Sequence, residues 1–151
     1  MSKKKAPRRS RKPAATRRAP SRRPSARKHV PTKGLYGWIT HTDIGSHEPA
    51  ATKAWCEKVL GWTFKPPLPS PAGDYDLFTY SDKGGGGIRQ VKSSEIPDTI
   101  PYVHVADCAG AFEHALREGA EQISAPMRVT DGVMIAVVRA PGGVVIGFSG
   151  P

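Results

Sequence analysis

Acidic residues are absent from the first part of the chain. Residues 1–34 hold fourteen of the 23 Lys and Arg and none of the thirteen Asp and Glu. The nine other basic residues share residues 35–151 with all thirteen acidic ones, which gives this part a formal charge of −4. The sequence pI of about 10.0 therefore describes a terminal segment and not a basic globular surface.

Residues 1–34 also lack the apolar side chains that a core needs, and their prolines break helices. We therefore predict a disordered basic tail. Such a tail can bind nucleic acid through counterion release, and without base preference because no aromatic ring is interleaved in it. The alternatives are an organelle-targeting segment and a solubilising tail without a partner. The candidate polyanion-binding residues are Lys3, Lys4, Lys5, Arg8, Arg9, Arg11, Lys12, Arg17, Arg18, Arg22 and Arg23.

Long apolar runs and cysteine pairs are missing too. No run approaches the roughly 18 residues of a membrane helix, and no secretory apolar region follows the basic start. We expect a soluble, intracellular, cytoplasmic protein without membrane partners. The alternative is association with the nucleoid or the nucleus through the tail. Cys56 and Cys108 form no Cys-x-x-Cys pair, so we predict small buried thiols and no disulfide framework.

A strand and a helix open the second part of the chain. Residues 35–44 alternate between two faces, with His41 and Asp43 on the same face. A helix over residues 49–60 follows, with Ser46 as the predicted N-cap and Gly61 as the residue that ends it. Its apolar stripe is predicted to lie on the sheet, and it consists of Ala51, Trp55 and Val59.

The same order returns later in the chain. Strands are predicted at residues 62–65, 74–80 and 87–91; four glycines at 84–87 lack the features of a phosphate loop and favour flexibility or close backbone approach. A strand at 100–106 and a helix at 108–118 then restart the pattern, with Asp107 as N-cap and Phe112, Ala115 and Leu116 as the apolar stripe. Strands at 121–124, 127–131, 133–139 and 144–148 complete it. We predict an α+β fold of two βαβββ modules, about 35–92 and 100–150, with a curved mixed sheet, outer helices and a concave cleft.

Four segments in this order resemble the vicinal oxygen chelate superfamily, which groups glyoxalase I, bleomycin-resistance proteins and extradiol dioxygenases. They are residues 39–42 set twenty residues before Gly61, residues 55–62, residues 116–119 and residues 140–147. The resemblance covers about residues 35–150. It implies the two-module fold, and it also implies a homodimer, because two-module members often pair.

The resemblance also implies where a metal would bind. Metal-using members take ligands from the first and last strands of each module, and His41 falls on the first of these positions. The second-module positions fall on Ile100 and Gly147, which cannot coordinate a metal, and the remaining position falls on Gln90 or, less favourably, Arg89. Two lost ligands disfavour a divalent metal cofactor, glyoxalase-type isomerisation and extradiol cleavage.

Strand parity predicts a cleft lined by His41, Asp43, Gln90, Tyr102 and His104, and by at most one of Tyr75 and Phe78. His41 is the candidate general base, and the alternative is a polar side chain at the sheet rim. For Tyr102 and His104 the alternative is packing in an interface. The first hypothesis is a metal-free protein that binds a small organic molecule. The others are a metal-dependent lyase or dioxygenase with different ligands, a metal-free enzyme using His41, and a nucleic-acid-associated protein that acts through its tail.

Overall fold

The computed structural model describes residues 33–70 and 73–151. Of the predicted tail, Lys33 and Gly34 fall within this range, in a turn of 3-10 helix at Lys33–Leu35. All eleven candidate polyanion-binding residues lie outside it, so the tail's disorder and its binding of nucleic acid stay predictions. Among the described residues, no helix is long and apolar enough to cross a membrane.

Nine strands and two helices form two modules of the same order in the described part, except that the first module has one additional strand. The first module contains β1 (Ile39–Ser46), α1 (Pro49–Leu60), β2 (Thr63–Phe64), β3 (Leu68–Ser70), β4 (Gly73–Thr79) and β5 (Gly85–Gln90). The second contains β6 (Thr99–His104), α2 (Cys108–Arg117), β7 (Glu121–Thr130), β8 (Val133–Arg139) and β9 (Val145–Gly150). The strands predicted separately at 121–124 and 127–131 are one strand, β7, whose pairing with β8 is interrupted by register shifts.

One mixed sheet contains all the strands, in the order β2-β4-β5-β1-β6-β9-β8-β7, with β3 paired to β4. The two first strands, β1 and β6, are antiparallel neighbours at the centre. Each of them runs parallel to the last strand of its own module, β5 or β9. The predicted α+β fold is therefore confirmed, except that β3 occupies part of a segment expected to be a proline-rich loop.

Three predictions for the helix ends are confirmed and one is wrong. Gly61 ends α1 in the left-handed region at φ 67°, as predicted. Asp107 caps α2 by accepting a hydrogen bond of 2.9 Å from the Gly110 N–H, also as predicted, and α1 begins at Pro49. The predicted N-cap of α1 is wrong: Glu48 occupies that position, while the Ser46 hydroxyl accepts the Glu48 N–H at 3.0 Å and bonds the Thr52 hydroxyl at 2.8 Å.

The second helix packs as its sequence predicts. Phe112 belongs to a buried cluster with Cys108, Ala136 and Val138, and Ala115 and Leu116 pack against that cluster. Both Cys56 and Cys108 are buried free thiols, again as predicted. Because the β8 residues of this cluster alternate with Ile135 and Val137, α2 covers the sheet face opposite to those two side chains.

The predicted inner stripe of α1 is wrong. Trp55 and Val59 are each 56% exposed, whereas Cys56, on another face of the helix, is 3% exposed. Lys53 also turns toward the sheet, where its ammonium lies 3.0 Å from Asp76 and 5.2 Å from the centre of the Phe64 ring. We attribute the difference to aromatic side chains that already fill part of that sheet face, since Trp62, just before β2, stacks on the buried Phe78 of β4 at 4.2 Å.

Candidate ligand-binding cleft

Four residues form a row across the centre of the sheet. His41 on β1 pairs with Gly85 on β5 and with Tyr102 on β6, and Tyr102 pairs with Gly147 on β9. Paired residues on neighbouring strands project from the same side of a sheet. We call this side the cleft face; it also carries Asp43, which is two residues from His41 on the same strand.

Two tyrosine rings cover glycines on the cleft face. A Cβ at Gly87 would overlap the Tyr75 ring, and a Cβ at Gly147 would overlap the Tyr102 ring. The predicted close backbone approach is found at Gly85 and Gly86, where a Cβ would collide with the carbonyl oxygens of Phe78 and Thr42, whereas at Gly87 a tyrosine side chain approaches. The missing side chains leave room for two rings beside His41.

These rings hold the imidazole of His41 from two directions. The Tyr75 hydroxyl and His41 Nε2 share a hydrogen bond of 2.9 Å. The Tyr102 ring meets the imidazole edge to face, with centroids 5.7 Å apart and an interplanar angle of 80°. His41 is thus placed by contacts from β4 and β6 in addition to its own strand.

Asp43 is the buried charge of the site. It is 8% exposed, and its Oδ2 accepts a hydrogen bond of 2.9 Å from Arg89 Nε. Arg89 also bonds Asp98 and lies 3.9 Å from Glu95, so one guanidinium serves three carboxylates. Within the described residues, Asp43 Oδ1 is buried and accepts no hydrogen bond of good geometry, but the Tyr75 hydroxyl is close enough to interact with this carboxylate.

Burial sets the protonation states around His41. It lowers the pKa of His41, and the negative charge of Asp43 offsets this effect only in part. Burial, followed by the charge of Asp43, raises the pKa of Tyr102 to about 12 and raises the pKa of Tyr75 further still. Near neutral pH, the imidazole is therefore uncharged and both phenols keep their protons.

A cavity of about 500 Å³ opens over these groups. Most of its lining is apolar and comes from β3, β4, β7 and β8, while the polar groups lie on β1, β3, β4, β6, β7 and β9. The lining consists of His41, Asp43, Leu68, Pro69, Ser70, Tyr75, Leu77, Tyr102, Val129, Thr130, Val133, Ile135 and Ser149. An apolar pocket of this size with a few placed polar groups is typical of small-molecule sites.

The structure brings together three of the five predicted cleft residues: His41, Asp43 and Tyr102 line the cavity. Of Tyr75 and Phe78, only Tyr75 does so. Whether any of these side chains binds a ligand stays a prediction.

Gln90 and His104 are corrections to the predicted cleft. Asp43 pairs with Gly87, which places Arg89 on the cleft face and Gln90 on the other. The Gln90 amide donates instead to backbone oxygens of His47 at 2.9 Å and Val91 at 2.8 Å. His104 is 6% exposed outside the cavity, with Nδ1 3.1 Å from the Ser149 carbonyl oxygen and its ring 5.4 Å from that of Tyr36.

Several cavity residues escaped the sequence reasoning. Leu68 and Pro69 lie on β3, whose proline-rich sequence carries no strand signal, and Val129 and Thr130 lie at the end of β7. Leu77 could have been found, because it alternates with Tyr75 on β4. The ion pair of Arg89 and Asp43 joins residues 46 positions apart and has no local signal in the sequence.

The donor set beside His41 does not fit the metal centre that the resemblance implies. The register places Gly85 and Gly147 beside His41 and Tyr102 in the row, and neither glycine has a side-chain atom that can coordinate a metal. The side chain of Ile100, which lies opposite Asp43, has no such atom either. In the described part of the chain, no three His, Cys, Asp or Glu side chains are grouped so that they could hold a metal ion. The metal content of the protein itself stays a prediction.

No family model and no curated protein matches this sequence, but solved structures do. A methylmalonyl-CoA epimerase from Mycobacterium tuberculosis is 15% identical with a TM-score of 0.62, over 82% of this chain and 93% of that one. The hypothetical protein BH1468 from Bacillus halodurans is 14% identical with a TM-score of 0.59, over 74% of this chain and 91% of that one. A 4-hydroxymandelate synthase variant from Streptomyces coelicolor is 14% identical with a TM-score of 0.59, over 73% of this chain and 37% of that one.

These neighbours share one architecture, and identities this low show the fold alone. The two modules and the mixed sheet with outer helices are the features that the sequence predicted. The chain has the vicinal oxygen chelate fold.

Proposed function

We propose that the protein binds a small organic molecule in the cavity of about 500 Å³ without help from a bound metal. The observation that carries this proposal is the lining of that cavity, which is mostly apolar and includes placed polar groups from His41, Asp43, Tyr75 and Tyr102. The apolar walls would supply most of the binding free energy, and the polar groups would orient the ligand.

The tyrosines beside His41 support the metal-free part of the proposal. At the level of His41, the neighbouring strands offer a glycine, a phenol ring and a second glycine in place of carboxylates or imidazoles. The Nε2 atom of His41 is already bonded to the Tyr75 hydroxyl. The same row disfavours a metal-dependent lyase or dioxygenase.

A metal-free enzyme is the second candidate, and the contact between His41 and Tyr75 favours it. A neutral imidazole accepts a proton, and the hydroxyl 2.9 Å from its Nε2 can pass one on. The pair could therefore serve as general base and relay for a substrate held in the cavity. Methylmalonyl-CoA epimerase shows that this architecture supports enzymes, but its substrate does not transfer to this chain through the fold.

Fragment screening by ligand-observed NMR tests the proposal on the full chain, before and after treatment with EDTA. Val133→Trp, on the cavity wall, should fill the cavity and abolish binding of the fragment hits. Ile96→Trp, at a site that is 87% exposed and outside the cavity, is the matched control and should bind as the wild type does. Hits that survive Val133→Trp, or that disappear with EDTA, would overturn the proposal.

A further inference from the structure

Two side-chain hydroxyls on neighbouring strands of the cleft face have no hydrogen-bond partner. Tyr102 on β6 and Ser149 on β9 both line the cavity, and within the described part of the chain neither hydroxyl is bonded. We propose that the ligand places an uncharged carbonyl oxygen on the Tyr102 hydroxyl and an apolar body against the cavity walls, an inference that rests on the proposed function.

The Tyr102 hydroxyl stays accessible although its residue is only 7% exposed. Among the described side chains, the polar atoms that are both fully buried and unpartnered are Asp43 Oδ1 and His104 Nε2. The Tyr102 oxygen is not one of them and makes no hydrogen bond. It therefore keeps surface that a molecule in the cavity can reach.

Packing fixes the ring that carries this hydroxyl. The ring covers Gly147, where a Cβ would overlap it, and it meets the His41 imidazole edge to face with centroids 5.7 Å apart. A donor held in place before binding loses little conformational freedom when the ligand arrives. The hydroxyl can therefore orient a ligand as well as hold it.

The Tyr102 hydroxyl is suited to donate. Burial, followed by the charge of Asp43, raises the pKa of Tyr102 to about 12, so the phenol keeps its proton near neutral pH. A phenol is a better donor than acceptor, because its oxygen lone pair is delocalised into the ring. The ligand atom that faces it is therefore an acceptor.

The cavity lining favours an acceptor without charge. Asp43 lines the cavity, and none of the described residues that line it is Lys or Arg. A carboxylate or phosphate would lose its hydration there without gaining a countercharge. A carbonyl oxygen loses less, and the bond from Tyr102 replaces one that it makes to water.

Three naphthalene probes of the same shape separate these classes: acetylnaphthalene, isopropenylnaphthalene and naphthoate. The first carries a ketone, the second has a methylene group in place of the ketone oxygen, and the third is an anion. Ligand-observed NMR titrations with the full chain, at neutral pH and one fixed ionic strength, give their affinities. Naphthoate should bind weakest.

Tyr102→Phe removes the hydroxyl and keeps the ring over Gly147. It should weaken binding of the ketone by about two- to tenfold, the effect of one hydrogen bond, and change the affinity of the hydrocarbon by less than about twofold. Tyr80→Phe is the matched control, because Tyr80 is 42% exposed and does not line the cavity. It should leave all three affinities unchanged.

The carbonyl stretch of the bound ketone is an independent measurement on the wild type. In isotope-edited infrared difference spectra it should lie below its frequency in an apolar solvent, because a hydrogen bond weakens the C=O bond. Tyr102→Phe should return it toward the apolar value. If Tyr102→Phe fails to fold, the wild-type frequency decides alone.

The outcomes separate this proposal from the proposed function. Equal weakening of ketone and hydrocarbon by Tyr102→Phe, an apolar carbonyl frequency, or tighter binding of naphthoate would overturn the carbonyl assignment and leave cleft binding intact. Failure of the ketone to bind, when screened fragments bind and Val133→Trp removes them, would do the same. Binding of probes and fragments that Val133→Trp leaves unchanged would overturn the proposed function itself.

Discussion

The Tyr75 hydroxyl and His41 Nε2 share a hydrogen bond of 2.9 Å, although the two residues are 34 positions apart in the sequence. The contact depends on a third residue, since a side chain at Gly87 would collide with the Tyr75 ring. At the position where the family resemblance implies a metal ligand, the histidine is instead bound to a phenol.

The first prediction concerns the pH dependence of stability. Burial lowers the pKa of His41 in the folded state, whereas an unfolded histidine titrates near 6.5. As the pH falls below about 6.5, the unfolded chain therefore binds more protons than the folded one, and stability from this group decreases. It is fully present above that pH. His41→Gln should flatten the decrease, as measured by urea unfolding from acid to neutral pH.

His114→Gln is the control for that experiment, because the His114 side chain is 67% exposed. It should leave the wild-type dependence in place. Parallel curves for the wild type and His41→Gln would contradict the burial of an uncharged His41.

The second prediction concerns the glycine under Tyr102. Gly147→Ala would place a methyl group inside the Tyr102 ring, so the ring must move. We expect a loss of about 1–3 kcal/mol in the free energy of unfolding, which is typical of overpacking. Gly34→Ala is the control, because a Cβ at Gly34 meets nothing within 4 Å and its φ is not in the left-handed region. An unchanged stability of Gly147→Ala would show that Tyr102 does not occupy this place.

The third prediction concerns the ion pair of Asp43. Arg89→Met removes the partner of a carboxylate whose side chain is 11% exposed, and we expect it to cost about 3 kcal/mol. Adding Asp43→Asn should recover much of that loss, because the stranded charge is removed. Arg139→Met, which breaks a pair with exposed fractions of 47% and 78%, should cost less than about 1 kcal/mol. Equal costs for the two arginines would contradict the burial of this pair.

The fourth prediction concerns the tail, which the sequence alone supports. The full chain should bind duplex DNA and RNA with an affinity that falls steeply, by about a thousandfold, between low and physiological salt. A full chain with all eleven candidate tail residues changed to Gln should lose this binding. Fluorescence anisotropy across a salt series provides the measurement. Equal binding by the two chains would remove the tail from any role with nucleic acid.

Much of the fold was predictable because its signals are local. Gly61 ends α1, Asp107 caps α2, and the stripe of Phe112 lies in the core, each for a reason contained in a few neighbouring residues. The exposed Trp55 shows the limit of such reasoning. An apolar stripe predicts the inner face of a helix only when the sheet surface beneath it is not already covered. Here aromatic side chains such as Phe78 cover part of that surface.

The sequence predicted only those parts of the site that follow from the alternation of side chains along a strand. Alternation placed His41 and Asp43 on one face, and the structure adds Tyr102 in the same row as His41. Alternation alone could not decide whether Arg89 or Gln90 lies on the cleft face. That choice depends on the register between β1 and β5, which is a contact between distant parts of the chain. Alternation also places His104 on the same face as Tyr102, but the tilted Tyr36 ring lies 5.4 Å from the His104 ring, and His104 does not line the cavity. The homodimer and the cytoplasmic location stay predictions.

Native mass spectrometry of the full chain, purified from its own cells without chelator, tests the central claim most directly. It resolves bound metals and retained small molecules on the same ion. We predict no stoichiometric metal and a retained organic molecule that is absent from Val133→Trp. One tightly bound zinc, nickel, manganese or iron ion per chain would contradict the account.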